Sequence, residues 1–215
     1  MSRADRDVAG RRPRTELVEQ TRTTILLTAE RLFAEQGVFS VSHRQISEAA
    51  GQGNNAAVNY HFGGRDELVK AIVRRHAEPM EGIRRRLLER YAGSTDLRDW
   101  VTCEVRSFTE HLAALGTPSW YARFAAQVMT EPSLRELAAD ELRDAPMLRA
   151  VTETVHRCLP QLTADVLSER DEMAHTLIVH FCAQRERTTE PDWEAAASGL
   201  IDAIEGLYRA GVSTA

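Results

Sequence analysis

The sequence has little cysteine, few aromatic residues, a single lysine and no long apolar run. Its three cysteines, Cys103, Cys158 and Cys182, lie far apart with no CxxC spacing, which argues against a disulfide framework or a structural zinc site. The longest apolar stretches, such as Leu177 to Val179, fall far short of the roughly 18 residues a membrane span needs. No basic start followed by an apolar segment marks a signal peptide. The expectation is a soluble cytoplasmic protein with no membrane partner. Paired carboxylates beside a nucleophile, a phosphate loop and metal-ligand spacing are all missing, so the chain is not read as an enzyme and calls for no cofactor and no metal. His175 and His180 are five residues apart and do not share a helix face, which speaks against a metal pair.

What is present is a globular composition. The 215 residues are 43% hydrophobic and 27% charged, enough for a sizeable core or two small packed units. The net charge of -5 conceals an asymmetry: residues 1–90 carry +4 and the remainder carries -9. Such a split suits an N-terminal part that meets a polyanion, and equally suits two ordinary solvated surfaces. Nearly all the cations are arginine, the residue best matched to phosphates and base edges.

Residues 1–14 hold Arg3, Arg6, Arg11, Arg12 and Arg14 without any apolar period and read as a mobile basic arm. From Thr21 onward Ile25, Ala29, Leu32 and Phe33 share one helical face, and Gly37 ends that helix. Ser42 caps a short second helix with Ile46, Ala49 and Ala50 on one side. The run Gly51-Gln52-Gly53-Asn54-Asn55 is a turn. A third short helix, about Asn55 to His61, faces Val58 inward and closes on Phe62 before Gly63-Gly64. The next begins at Arg65 and continues, bent at Pro79, through Ile83 and Leu87.

Beyond it, Leu97, Val101, Val105, Phe108, Leu112 and Leu115 mark a helix, and Thr117-Pro118 reads as the N-cap and first residue of another. Pro132, Pro146, Pro160 and Pro191 punctuate the rest of the chain. Met173, Leu177, His180 and Phe181 mark a further helix, and Trp193, Ala197, Leu200, Ile201, Ile204, Leu207 and Tyr208 mark the last. Residues 176–181 are β-branched enough for a strand but have no second strand to pair with. The fold class is all-α with nine or so helices.

Three short helices, the last two joined by a Gly/Asn turn, match a helix-turn-helix, whose second helix enters the major groove. The chemistry of that helix fits the task. Asn54, Asn55 and Asn59 offer the paired donor and acceptor that adenine presents. Ala56 and Ala57 allow close approach, and Tyr60 and His61 can donate to phosphates. Arg44 can reach a guanine or a phosphate, and Arg65 stands at a helix N-terminus that itself favours an anion. Each has a plainer alternative: Tyr60 as a core aromatic, His43 and His61 as structural residues. Val58 and Phe62 are core.

The run TRTTILLTAERLFAEQGVFSVSHRQISEAAGQGNNAAVNYHFGGRDELVKAIV, residues 21–73, resembles the N-terminal domain of the TetR family of bacterial transcriptional regulators. The resemblance is carried by LFAEQG, by SHRQISEAAG and by AVNYHFGGRDEL, which is similar to the family's closing signature YxHFxxKxxL. Three departures stand out. Ten residues separate Gly51 from Phe62 where nine are usual, Asn54-Asn55 replaces the common Ser-Lys pair, and Arg65 replaces a lysine. The resemblance implies a homodimeric ligand-responsive regulator, a repressor bound to a palindromic double-stranded operator and released by a small-molecule effector. It divides the chain into the arm 1–14, a DNA-binding domain 15–66 and a ligand-binding and dimerisation domain 67–215. An effector cavity is implied in the C-terminal part, where Trp100, Cys103, Phe108, His111, Trp120, Tyr121, Phe124 and Met129 are the candidate lining. A dimer surface is implied on the last two helices, through Met173, Leu177, Phe181, Trp193, Leu200, Ile201, Ile204 and Tyr208, residues that equally suit packing within their own domain. A helical interaction module without DNA binding is the other reading, motivated by the missing lysine and the longer turn.

Overall fold

The computed structural model describes residues 14–54 and 56–212. The arm foreseen over 1–14, apart from the Arg14 backbone, and Asn55 fall outside these residues. Ten helices and no strand are found among the described residues: α1 (Arg14–Gln36), α2 (His43–Ala49), α3 (Ala57–Phe62), α4 (Arg65–Arg90), α5 (Leu97–Leu115), α6 (Tyr121–Thr130), α7 (Pro132–Leu142), α8 (Pro146–Arg157), α9 (Ala164–Arg185) and α10 (Trp193–Arg209). The all-α expectation holds, with ten helices where about nine were counted.

Helix α1 starts seven residues before Thr21 because positions 15–20 are exposed and leave no apolar signature. Its buried face is the expected Ile25, Ala29, Leu32 and Phe33. Helix α2 is closed by a reciprocal capping box. The Ser42 hydroxyl accepts from the Gln45 amide at 3.3 Å, while the Gln45 side chain accepts from the Ser42 amide at 2.8 Å. Helix α3 ends on Gly63 at φ 82°, the left-handed region that glycine enters without strain. Pro79 lies inside α4, which continues beyond it to Arg90.

The Thr117-Pro118 expectation is corrected. Helix α6 opens at Tyr121, and its first turn is capped from a distance by Glu186, just past the end of α9. That carboxylate accepts from the amides of Ala122 at 3.2 Å and Arg123 at 3.0 Å, and from the Ser119 hydroxyl at 2.9 Å. Glu81 of α4 does the same for α8, accepting from the amides of Met147 at 2.8 Å and Leu148 at 3.0 Å. Both carboxylates satisfy amides that a helix start leaves without partners.

One hydrophobic cluster runs from Ile25 to Tyr208. Within it α5 packs against α4, α8 and α10, while α6 packs against α1, α7 and α9. Helices α1, α4 and α6 therefore connect the first three helices to the remainder.

Candidate functional site

The first candidate site is the outer face of α2 and α3. Val58 and Phe62 are buried and hold α3 on the core, as their spacing requires. Tyr60 points away from that core and is 79% exposed, so it is a surface group and not a core aromatic. Its ring meets His61 edge-on at 5.0 Å. Asn59 is exposed beside it, and Asn54 is exposed at the turn. The Asn54 side chain accepts from the Ala56 amide at 2.9 Å and so shapes the turn. Ala57, a candidate contact residue, is buried at the base of α3.

The two arginines differ. Arg44 is exposed on α2, with Nε on the Glu48 carboxylate at 2.7 Å; that carboxylate raises its pKa, first by hydrogen bonding. Arg65 is half-buried and donates to the Val41 carbonyl at 2.8 Å, with its guanidinium 5.6 Å from the Phe39 ring centre. It ties the start of α4 to the loop before α2. The α4 N-terminus has no side-chain cap, so its first amides remain available to an anion.

The second candidate site is a cavity of about 370 Å³ among α4 to α9. Of the expected lining, Phe108, Tyr121, Phe124 and Met129 face it. The other four do not. Trp100 is buried elsewhere and donates to the Ser94 carbonyl at 3.3 Å, and Trp120 packs on the core ahead of α6. Cys103 is wholly buried, and desolvation pushes its thiol up to about 12, an unreactive state. His111 sits behind the cavity wall. Sequence reasoning missed the polar lining: Arg84 of α4, Glu104 of α5, and Asp171, Glu172 and His175 of α9. On a helical wheel these read as solvated charges; the packing of neighbouring helices encloses Arg84 and Glu104, while Glu172 and His175 stay exposed.

Behind Tyr121 runs a buried chain of polar groups. The Glu30 carboxylate of α1 lies 3.0 Å from His76 Nε2, and His76 Nδ1 lies 2.7 Å from His111 Nε2. The Tyr121 ring stacks on His76 with centres 3.7 Å apart. Burial first, then the neighbouring His76, Arg75 and Arg84, pulls the His111 pKa down to about 4. A second bridge is apolar: Phe33 of α1 stacks on Phe124 of the cavity wall at 6.3 Å. Neither Glu30 nor His76 was singled out from sequence.

Of the candidate dimer residues, Leu200, Ile201, Ile204 and Tyr208 are buried within the chain, where α10 packs on α5 and α9. Phe181 and Trp193 are partly buried. Met173 and Leu177 stand out on α9, 52% and 38% exposed. Among the described residues no group of three His, Cys, Asp or Glu side chains is disposed to hold a metal ion, and no helix is long and apolar enough to cross a membrane.

Residues 25–72 match the family model for bacterial regulatory proteins of the tetR family. No curated protein matches the sequence. Among solved structures, the fold is similar to that of the TetR family transcriptional regulator PfmR from Thermus thermophilus. The TM-score is 0.57 at 18% identity, over 90% of this chain and 98% of that one. A tetR family transcription regulator from Shewanella sp. PV-4 gives 0.59 at 16% identity, over 84% and 95%. A transcriptional regulator from Saccharomonospora viridis in complex with choline gives 0.54 at 21% identity, over 87% and 96%.

Proposed function

We infer that this chain, whose residues 25–72 carry the sequence pattern of the tetR family of bacterial regulatory proteins, is a DNA-binding repressor controlled by a small-molecule effector. The observation that carries the reading is the outer face of α2 and α3. A largely apolar inner side, with Ser47 its one buried polar residue on α2, anchors it, and Tyr60, Asn59 and Arg44 project outward without any intramolecular packing need. In this reading α3 enters the major groove, where Asn59 meets base edges. Tyr60, His61 and Arg44 fix the register on phosphates, and the first amides of α4 take a further phosphate. Asn54 shapes the approach to α3, and Asn55 belongs to the same turn. Arg65 acts through the loop it braces, and Ala57 by letting the helix lie close.

The effector occupies the cavity, and residues 67–215 supply both that cavity and the dimer contact. The exposed Met173 and Leu177 begin that contact, since two copies are needed to present two α3 helices to a palindrome. Two bridges support control of α3 from the cavity: Glu30–His76–His111 beneath Tyr121, and Phe33 on Phe124. An effector shifts DNA affinity only through its different affinity for the two arrangements of these bridges. The Saccharomonospora viridis neighbour, crystallised with choline, adds weight to a small-molecule effector.

The test is selection of fragments from the source genome by the purified chain at near-physiological salt, with Tyr60→Ala alongside. The expected result is enrichment of a palindromic site that the variant loses. Binding without sequence preference, equal in both proteins, would favour the interaction-module reading.

A further inference from the structure

Accounting for the carboxylates that line the cavity leaves one of them over. Arg84 donates to Glu81 at 3.1 Å, and Arg135 pairs with Glu172. Asp171 is met by His156 at 2.7 Å and by the Tyr208 hydroxyl at 2.8 Å. Among the lining carboxylates Glu104 alone has no such partner, and Arg84 Nε is likewise buried without an acceptor. Its Oε2 is buried without a hydrogen bond, and the residue lines the cavity. A carboxylate in that position costs stability that the nearby charge of Arg84 offsets only in part. Around it stand aromatic rings: Phe108 and Tyr121 with centres 5.8 Å apart, and Tyr121 and Phe124 at 6.4 Å. Ring faces attract a cation as a carboxylate does, and apart from Arg84, Arg135, Asp171, Glu172 and His175 most of the remaining wall is apolar.

Resting on the reading of this cavity as the effector site, we propose that it selects a hydrophobic organic cation, an alkyl or arylalkyl ammonium, whose charged head meets Glu104 while its apolar body fills the space between α6 and α9. An anion gains less, because Arg135 is held by Glu172 and Arg84, whose Nη1 is held by Glu81, has only its buried Nε left to offer.

The selection is coupled to a proton. Burial first, then the negative charge of Asp171, pushes Glu104 up to about 8, against a smaller opposing pull from Arg84. Facing or near it are Arg84 of α4, Tyr121 of α6, the Arg135–Glu172 pair, Asp171 and His175 of α9, and Tyr208 of α10. At pH 7 the empty cavity therefore holds Glu104 as the neutral acid. An arriving ammonium favours the carboxylate, so the Glu104 proton leaves to solvent as the ion pair forms.

The experiment is titration calorimetry on the full chain with three probes of one shape: 4-phenylbutylamine, 4-phenylbutanol and 4-phenylbutanoate. It is run at pH 7 in two buffers of different ionisation enthalpy. Displacement of the neutral fluorophore N-phenyl-1-naphthylamine reports cavity occupancy independently. The amine is expected to bind at least about tenfold more tightly than the alcohol, with the acid weakest, and to release close to one proton. Release shrinks toward zero above about pH 9, where Glu104 is already ionised. In Glu104→Gln the amine's advantage falls to within about threefold and proton release disappears, while alcohol affinity is kept as evidence of an intact cavity. Equal binding of amine and alcohol, preference for the acid, or an amine preference that survives Glu104→Gln would overturn the proposal and leave the cavity reading standing. If neither fluorophore nor any probe enters, the cavity reading fails and this one with it.

Discussion

Tyr60 and His111 show how differently two polar aromatic residues can be used. Tyr60 gives little surface to the core, so Tyr60→Ala removes the proposed phosphate donor without opening a cavity. Operator affinity is expected to fall about tenfold, with the melting temperature within about 1 °C of wild type, as read by fluorescence anisotropy and calorimetry. A large loss of stability would show that Tyr60 packs after all. His111 is the reverse case. Its folded pKa of about 4 lies below the ordinary 6.5, so the fold favours the neutral ring. That contribution is present above pH 6.5 and is lost as pH falls from 6.5 through 4. The melting temperature of wild type should therefore drop more steeply across that window than that of His111→Gln. Parallel curves would show that the ring charges without penalty.

At the level of the element, legibility follows the range of the interactions that set each boundary. Helix α2 was readable because Ser42 and Gly51 act within a few residues of its ends, although Ala49, expected on its inner side, is exposed. Helix α3 was readable because Val58, Phe62 and Gly63 fix its inner face and its stop. The start of α6 was not, because its cap, Glu186, lies more than sixty residues away. Glu186→Ala leaves the buried amides of Ala122 and Arg123 and the Arg123 guanidinium without their acceptor. A loss of about 3 kcal/mol is expected in urea unfolding, against about half that for Glu186→Gln, which keeps an acceptor. No difference between the two variants would mean the cap contributes little. The cavity shows the same division. Phe108 on α5 and Tyr121, Phe124 and Met129 on α6 were legible as large apolar residues at helical spacing, whereas Arg84, Glu104 and Asp171 gain their meaning only from the helices packed around them. The apolar stripe of α10 was ambiguous for a related reason: period alone marks a buried face without naming what buries it, and here α5 and α9 do.

Across the whole molecule, a short helical unit with an exposed polar face is joined to a cavity-bearing unit through α1, α4 and α6. The joining groups are few and of two kinds. Glu30, His76 and His111 form a polar chain, and Phe33 with Phe124 forms an apolar one; both end on residues that touch or back the cavity wall. In the proposed function, such an arrangement is the route by which an occupant of the cavity biases the placement of α3 without touching it. Action on DNA in that proposed function depends on two copies presenting α3 in fixed register, a geometric requirement stronger than any single contact. Hydroxyl-radical footprinting of the wild-type chain on its selected genomic site tests that requirement most directly. Two protected patches are expected on one face of the duplex, related by a two-fold axis and spaced by about one helical turn, roughly 34–36 Å, or a multiple of it. A single patch, or protection without helical phasing, would contradict it.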